Sequence, residues 1–120
     1  MLQAGLTHEM TCTVTPDMSP PHLAGILSTS RMIGLMEDTC LAAVQPLLAP
    51  GQTTVGTRVE VTHVGTAWAG EEVTIRVRLT KVTQRRLLGF EIEIAAPAGI
   101  ISTGTHQRLV VDRSKFARPA

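Results

Sequence analysis

The sequence is poor in residue types that mark several large functional classes. It has no tyrosine among its 120 residues, and its aromatic residues are Trp68, Phe90 and Phe116. This scarcity argues against the stacking surfaces that bind single-stranded nucleic acid. The formal net charge is only +1, so the chain also lacks the strongly basic character of many proteins that bind nucleic acid.

Long apolar runs and cysteine motifs are missing as well. No apolar run approaches the length of a transmembrane helix, and no basic stretch followed by an apolar segment begins the sequence, so we expect a cytoplasmic protein that does not bind a membrane. Cys12 and Cys40 lack the spacing of metal ligands or of a redox pair, and we expect both to be reduced core residues. A single domain, residues 1–120, is expected at this length.

The pattern of apolar and polar residues predicts five strands and one helix. The strands are expected at 6–14, 53–64, 72–83, 86–95 and about 100–112. Three prolines and a glycine after the first strand indicate a loop. The apolar helix is expected to start near Ser30, with Ser28, Thr29 or Ser30 as its cap, and to end near Pro46.

Charges specify how the third and fourth strands pair. A tight turn near Gln84–Arg85 sets these residues opposite each other: Arg78 and Glu91, Arg76 and Glu93, Leu79 and Phe90, Val77 and Ile92. Ion pairs on one face and apolar pairs on the other are typical of a specified antiparallel hairpin. A longer loop is left open, because Gln-Arg-Arg is not a preferred sequence for a two-residue turn.

These elements predict an α+β protein with the hot dog fold. No crossover helices separate the later strands, so the sheet should be mainly antiparallel. The single helix is apolar on most sides and needs cover. An antiparallel β-sheet wrapped around one long central α-helix supplies that cover.

Four residues raise the question of chemistry, although each has an ordinary structural explanation. Glu37 lies at the edge of the polar side of the helix, which contains Asp38, and it borders apolar residues. The ordinary explanation is a carboxylate that faces solvent, as most helix carboxylates do. His63 shares a face with Val59 and Val61 and is compatible with a buried neutral histidine. Thr29 is compatible with a helix cap, or its hydroxyl could stabilise a thioester carbonyl bound at the start of the helix. Gly56 indicates either a bulge or a close approach of another group.

Taken together, these residues resemble a known enzyme family. A threonine at the helix mouth is followed by "GLME" at 34–37, by a strand with "GT" at 56–57 and "VTH" at 61–63, and by "GTH" at 104–106. This pattern resembles the fluoroacetyl-CoA thioesterase family of hot dog proteins. The resemblance implies an acyl thioester hydrolase in which Thr29, Glu37 and His63 are catalytic and the Gly56 amide lies near the thioester. It also implies a homodimer that uses no metal or redox cofactor, with CoA only as part of the substrate.

The sequence leaves several choices for the substrate contacts and for the reaction. We expect the acyl group to meet His22, Leu23 and Ile26 in the loop before the helix, and Gly34 on it. Because this loop contains no aromatic residue, we expect a small or medium acyl group other than fluoroacetyl. Arg85 and Arg86 are candidates to meet the phosphates of CoA or the acidic surface of a carrier protein.

Glu37 is expected to attack the thioester carbonyl or to act as a base on water. His63 is expected to activate water and to protonate the departing thiolate, and Thr29 to orient Glu37 or to hydrogen-bond the carbonyl. Two other functions stay open. One is a hot dog hydratase or dehydratase that acts on enoyl thioesters, and the other is a non-catalytic protein that binds acyl thioesters.

Overall fold

One long helix packs against a five-stranded sheet. The computed structural model describes residues 1–119, and within them the elements are β1 (Thr7–Thr13), α1 (Thr29–Val44), β2 (Gln52–Val61), β3 (Glu72–Thr83), β4 (Leu87–Ala96) and β5 (Gly99–Asp112). Short 3₁₀ turns occupy Pro16–Met18, Gln45–Leu47 and Arg113–Phe116. All neighbouring strands are antiparallel, in the order β1-β3-β4-β5-β2. The predicted hot dog architecture is therefore confirmed.

The sequence determines both ends of α1 and its buried face. Ser28 is the N-cap, because its hydroxyl accepts a hydrogen bond from the Arg31 amide at 3.2 Å. The helix ends two residues before Pro46, which has no amide hydrogen to donate. Its buried face includes Met32, Met36, Cys40 and Val44, which share one side because they are four residues apart. No helix among residues 1–119 has the length and hydrophobicity needed to cross a bilayer.

The β3–β4 hairpin has the predicted register. Arg78 pairs with Glu91, and Leu79 with Phe90; the other two predicted pairs are also present. Three residues, 84–86, connect the strands, one more than a two-residue turn, and a bulge after Leu79 accommodates the difference. The apolar side of the hairpin forms much of the core with residues Val73, Ile75, Val77, Leu79, Phe90, Ile92 and Ile94.

Strand β2 departs from the prediction at its end. It stops at Val61, so His63 lies beyond the strand and not within it. Val59 pairs with the buried His106 and therefore belongs to the inner face, as expected, but it is 41% exposed. Because β2 is the edge of the sheet, no further strand lies beyond it within residues 1–119.

Candidate active site

A threonine and a histidine from different elements meet at the start of α1. Thr29 is the first helical residue, and its Oγ1 lies 2.7 Å from Nδ1 of His63. Because Ser28 is the cap, the Thr29 hydroxyl is available for this contact, and the interpretation of Thr29 as a cap is wrong. The amides on either side of His63 donate to carbonyls of β5 at 2.9 and 2.8 Å, so the backbone that carries the imidazole is held firmly.

The Thr29–His63 pair faces a hollow of about 390 Å³. The three residues predicted from the preceding loop, His22, Leu23 and Ile26, also line this hollow. Its volume lies within the range of about 300–1,000 Å³ that is typical of small-molecule sites. The structure therefore brings five of the predicted site residues together around one opening.

The first turn of α1 adds backbone donors to this opening. The first amides of any helix have no partner inside the helix. Ser28 accepts from the Arg31 amide, which leaves the Thr29 and Ser30 amides without an acceptor in the described chain. A developing negative charge placed here is stabilised by those amides and by the helix dipole.

Glu37 lies beside a buried arginine, Arg108, which was not among the predicted site residues. The Arg108 side chain is only 6% exposed, and its Nη1 lies 3.4 Å from Oε2 of Glu37. Its Nε donates to the Thr54 hydroxyl at 2.7 Å, and its Nη2 donates to the Thr54 carbonyl at 3.0 Å. Because Thr54 anchors the guanidinium, Arg108 presents a fixed positive charge to the Glu37 carboxylate.

The tautomer of His106 follows from its two hydrogen bonds. Its Nδ1 lies 2.7 Å from the Arg58 carbonyl, and its Nε2 lies 3.2 Å from Nη1 of Arg108. A carbonyl only accepts, so Nδ1 carries the proton and Nε2 accepts from Arg108. Burial lowers the pKa of His106, and the charge of Arg108 lowers it further by a smaller amount. The hydrogen bond to the Arg58 carbonyl opposes this shift without cancelling it. His106 is therefore held as a neutral imidazole.

Cys40 is also close enough to sense the charges of Arg108 and Glu37, but burial dominates its chemistry. Burial raises the pKa of the Cys40 thiol to about 12, with the Arg108 charge as the next and opposing cause. A thiol must lose its proton to act as a nucleophile. Cys40 is therefore a core residue, and the free thiol is not part of the candidate chemistry.

Gly56 shows both features that its position in a strand left open. A β-bulge lies between Gly56 and Arg58. A Cβ atom at position 56 would also lie 2.7 Å from Oε2 of Glu37 and 3.3 Å from Cε1 of His106. The absence of a side chain at Gly56 thus gives the Glu37 carboxylate the space it occupies.

Glu37 and the Thr29–His63 pair occupy separate places within the chain. No hydrogen bond within residues 1–119 joins Glu37 to Thr29 or His63, and eight residues of helix correspond to about 12 Å along the axis. Gly34 lies between them on a half-buried part of α1, where an added Cβ would have no neighbour within 4 Å.

Arg85 and Arg86 are not at this opening. They line a separate hollow of about 440 Å³ together with Lys115 and Phe116. The Arg85 backbone has a φ of 56° and the preceding Gln84 a φ of 53°, which is the left-handed conformation that non-glycine residues seldom adopt. Within one chain, the predicted substrate-binding residues therefore fall in several places: His22, Leu23 and Ile26 line the opening, Gly56 lies beside Glu37, Gly34 lies between Glu37 and the Thr29–His63 pair, and Arg85 and Arg86 lie on a separate surface.

Arg108 could have been found from its position on the last strand. It stands two residues after His106 and two before Val110, and residues two apart in a strand share a face. All three are buried. The sequence of the strand as a whole alternates only weakly, which conceals this face, and neither Arg108 nor Thr54 is among the predicted site residues.

Comparisons with known proteins show which family the chain resembles. A family model described as "Fluoroacetyl-CoA-specific thioesterase" matches residues 6–114. A fluoroacetyl-CoA thioesterase from Streptantibioticus cattleyicolor is 38% identical over 93 residues, which are 76% of this chain and 65% of that protein. The match thus spans slightly less than two thirds of that relative.

Solved structures extend the similarity to the whole fold. A structure of the fluoroacetyl-CoA thioesterase FlK has a TM-score of 0.91 and 28% identity, and the alignment covers 97% of this chain and 93% of that chain. A hypothetical protein of Thermus thermophilus, described as a thioesterase superfamily member, has a TM-score of 0.85 and 22% identity, with 95% and 87% of the two chains covered. At that identity the second structure supports the fold alone.

Proposed function

The chain belongs to the fluoroacetyl-CoA-specific thioesterase family, and we propose that it hydrolyses an acyl-CoA thioester to a free acid and CoA. The observation that carries this proposal is the 2.7 Å contact between Thr29 and His63 at the mouth of a hollow beside the start of α1. This arrangement supplies a proton-transfer group and backbone donors at one point, and acyl transfer requires both.

Each group has a defined part in the proposed reaction. The thioester carbonyl lies at the first amides of α1, where the amides and the Thr29 hydroxyl stabilise the negative charge on its oxygen. Glu37 takes a proton from the attacking water, or attacks the carbonyl itself to form an anhydride that water then cleaves. His63 gives a proton to the sulfur as the carbon–sulfur bond breaks. One water is consumed, and one acid and one thiol are released.

We also propose that a homodimer completes the site. The separation of about 12 Å along the helix keeps Glu37 from the Thr29–His63 pair of its own chain. Strand β2 is a sheet edge with an exposed inner-face residue, Val59, and natural proteins rarely leave such an edge open. A two-fold pairing of two β2 strands covers Val59, and in the proposed dimer it brings Glu37 of one protomer towards the pair on its partner.

Arg85 and Arg86 are proposed to meet the phosphates of CoA. They share their hollow with Lys115, so three cations lie at one surface, and Arg is well suited to phosphate recognition. An acyl-carrier protein with an acidic surface is the competing donor, and the same residues would face it. The cytoplasmic location expected from the sequence stays a prediction.

Release of free thiol from a panel of acyl-CoA and acyl-carrier thioesters tests the activity. Glu37→Gln and His63→Ala should each lower the turnover number roughly 10²–10⁴-fold, the range typical of one positioned acid–base group. The matched controls are Asp38→Asn, an exposed carboxylate next to Glu37 on the helix, and His8→Ala on β1, which should keep wild-type turnover. If no thioester releases thiol, the proposal fails, and addition of water to an enoyl-CoA would identify a hydratase instead.

A further inference from the structure

Two segments next to the candidate active site are joined in a short ladder. Ile26 and Trp68 form an antiparallel bridge. The Leu27 amide donates to the Ala67 carbonyl at 2.9 Å, and the Ala69 amide donates to the Gly25 carbonyl at 2.8 Å. The loop before α1 is therefore tied to the segment that follows His63.

The ladder directs Ile26 and Trp68 outwards on the same side. Leu27 and Ala67 are fully buried, and adjacent residues in extended backbone point to opposite faces. Directly opposed residues of a bridge lie on the same face, so the side chains of Ile26 and Trp68 lie together on the outer face. Trp68 is 56% exposed and is the single tryptophan of the sequence.

This outer face continues the wall of the candidate active site. Ile26 lines the hollow that contains Thr29 and His63, and it also lines a second hollow of about 290 Å³ that contains His63 and Val64. Leu23 is 52% exposed and Val64 is 74% exposed. We call Leu23, Ile26, Val64 and Trp68 the apolar rim. Exposed large apolar groups clustered beside a site usually indicate a binding surface.

We propose that the apolar rim binds the acyl chain of the substrate, so that the enzyme prefers medium-length apolar acyl groups over acetyl-sized ones. The inference rests on the proposed function. An acyl group extends from its carbonyl, and the rim begins at the wall of the hollow where the carbonyl is placed. No Lys, Arg, Asp or Glu lines either of the two hollows, and the loop Pro20–Ile26 contains no Phe, Tyr or Trp to close around a two-carbon group. An uncharged, open wall suits a hydrocarbon chain of several carbons.

The ratio of kcat/KM values along a series of straight-chain acyl-CoAs, from two to ten carbons, tests this inference. Each methylene that the rim removes from water should raise kcat/KM about fourfold until the rim is filled. Trp68→Ala should lower kcat/KM about tenfold for octanoyl-CoA and less than twofold for acetyl-CoA, because only the long chain reaches Trp68. Trp68→Phe should retain most of the preference. Met10→Ala, an exposed apolar residue on β1, should leave the whole series unchanged.

Equal losses at all chain lengths in Trp68→Ala, or highest kcat/KM for acetyl- or fluoroacetyl-CoA, would overturn the inference. So would a change of oligomeric state in Trp68→Ala on gel filtration, since it would assign the rim to a contact between copies. A readout that does not need hydrolysis separates this inference from the proposed function. Titration with a non-hydrolysable octanoyl-CoA thioether should change the fluorescence of Trp68, whereas CoA alone should not. No change with the thioether would refute the role of the rim even in an active thioesterase.

Discussion

Substituting Gly56 by alanine should displace the Glu37 carboxylate without removing it. The new Cβ would lie 2.7 Å from Oε2 of Glu37, whereas ordinary van der Waals contact begins at 3.4 Å. The carboxylate must therefore retreat by roughly 0.7 Å, which a flexible side chain achieves at small cost in stability. A misplacement of about 1 Å can cost about 10²-fold in rate. We expect turnover to fall 10- to 100-fold in thiol-release assays, with the free energy of unfolding within about 1 kcal/mol of wild type.

Two comparisons make the Gly56→Ala result decisive. Gly89→Ala is the matched control, because its Cβ would meet Lys81 Cβ at an ordinary 3.5 Å, and its turnover should equal that of wild type. In the background of Glu37→Gln, Gly56→Ala should add little further loss, since coupled residues give non-additive effects. Unchanged turnover in a folded Gly56→Ala protein, or a full additional loss in the double variant, would refute the idea that the space at Gly56 serves Glu37.

Three further predictions address stability. Ser28→Ala should lower the free energy of unfolding by about 1 kcal/mol because it removes the cap, whereas Thr29→Ala should change it by less than about 0.5 kcal/mol. Urea denaturation measures both values, and equal losses in the two variants would contradict the assignment of Ser28 as the cap. Arg85→Gly should stabilise the protein by roughly 0.5–1 kcal/mol by relieving the left-handed backbone, and a lower urea midpoint would contradict this. Folding lowers the pKa of His106, so the unfolded chain takes up a proton at a higher pH than the folded protein does. The free energy of unfolding should therefore decrease as the pH falls below about 6.5, by up to ~1.4 kcal/mol per pH unit for this group. His106→Gln should flatten that part of the profile, and an unchanged slope would remove His106 as its cause.

The parts of the fold that the sequence predicted correctly are those in which two signals agree. In the β3–β4 hairpin, charged pairs such as Arg78–Glu91 and apolar pairs such as Leu79–Phe90 required the same register, and that register is present. The helix α1 was predicted from its many apolar residues together with a cap near Ser30 and Pro46 at its end, and it spans Thr29–Val44. Local signals in the sequence were sufficient for both.

The environment of Glu37 depends on contacts that local patterns do not contain. Its partner Arg108 is 71 residues away in the chain, and a buried arginine is rare enough that surface exposure is the default expectation. The sequence offered Ser28, Thr29 and Ser30 alike as the cap, whereas in the structure Ser28 is the cap and the Thr29 hydroxyl contacts His63, which is 34 residues away in the chain. Val59 belongs to the inner face of β2 but is 41% exposed, and the alternation of β2 does not specify how much of that face is covered.

Mixing two inactive variants tests most directly whether Glu37 acts together with the Thr29–His63 pair across a dimer. Glu37→Gln and His63→Ala proteins are unfolded together in equal amounts, refolded, and assayed for release of thiol from acyl-CoA. Half of the dimers formed at random contain one chain of each kind, and each such dimer has one intact composite site and one doubly altered site. The mixture should therefore recover about a quarter of wild-type activity, as two-fold symmetry requires. Activity that stays at the level of the separate variants, while refolded wild-type protein regains its own, would contradict the proposed site.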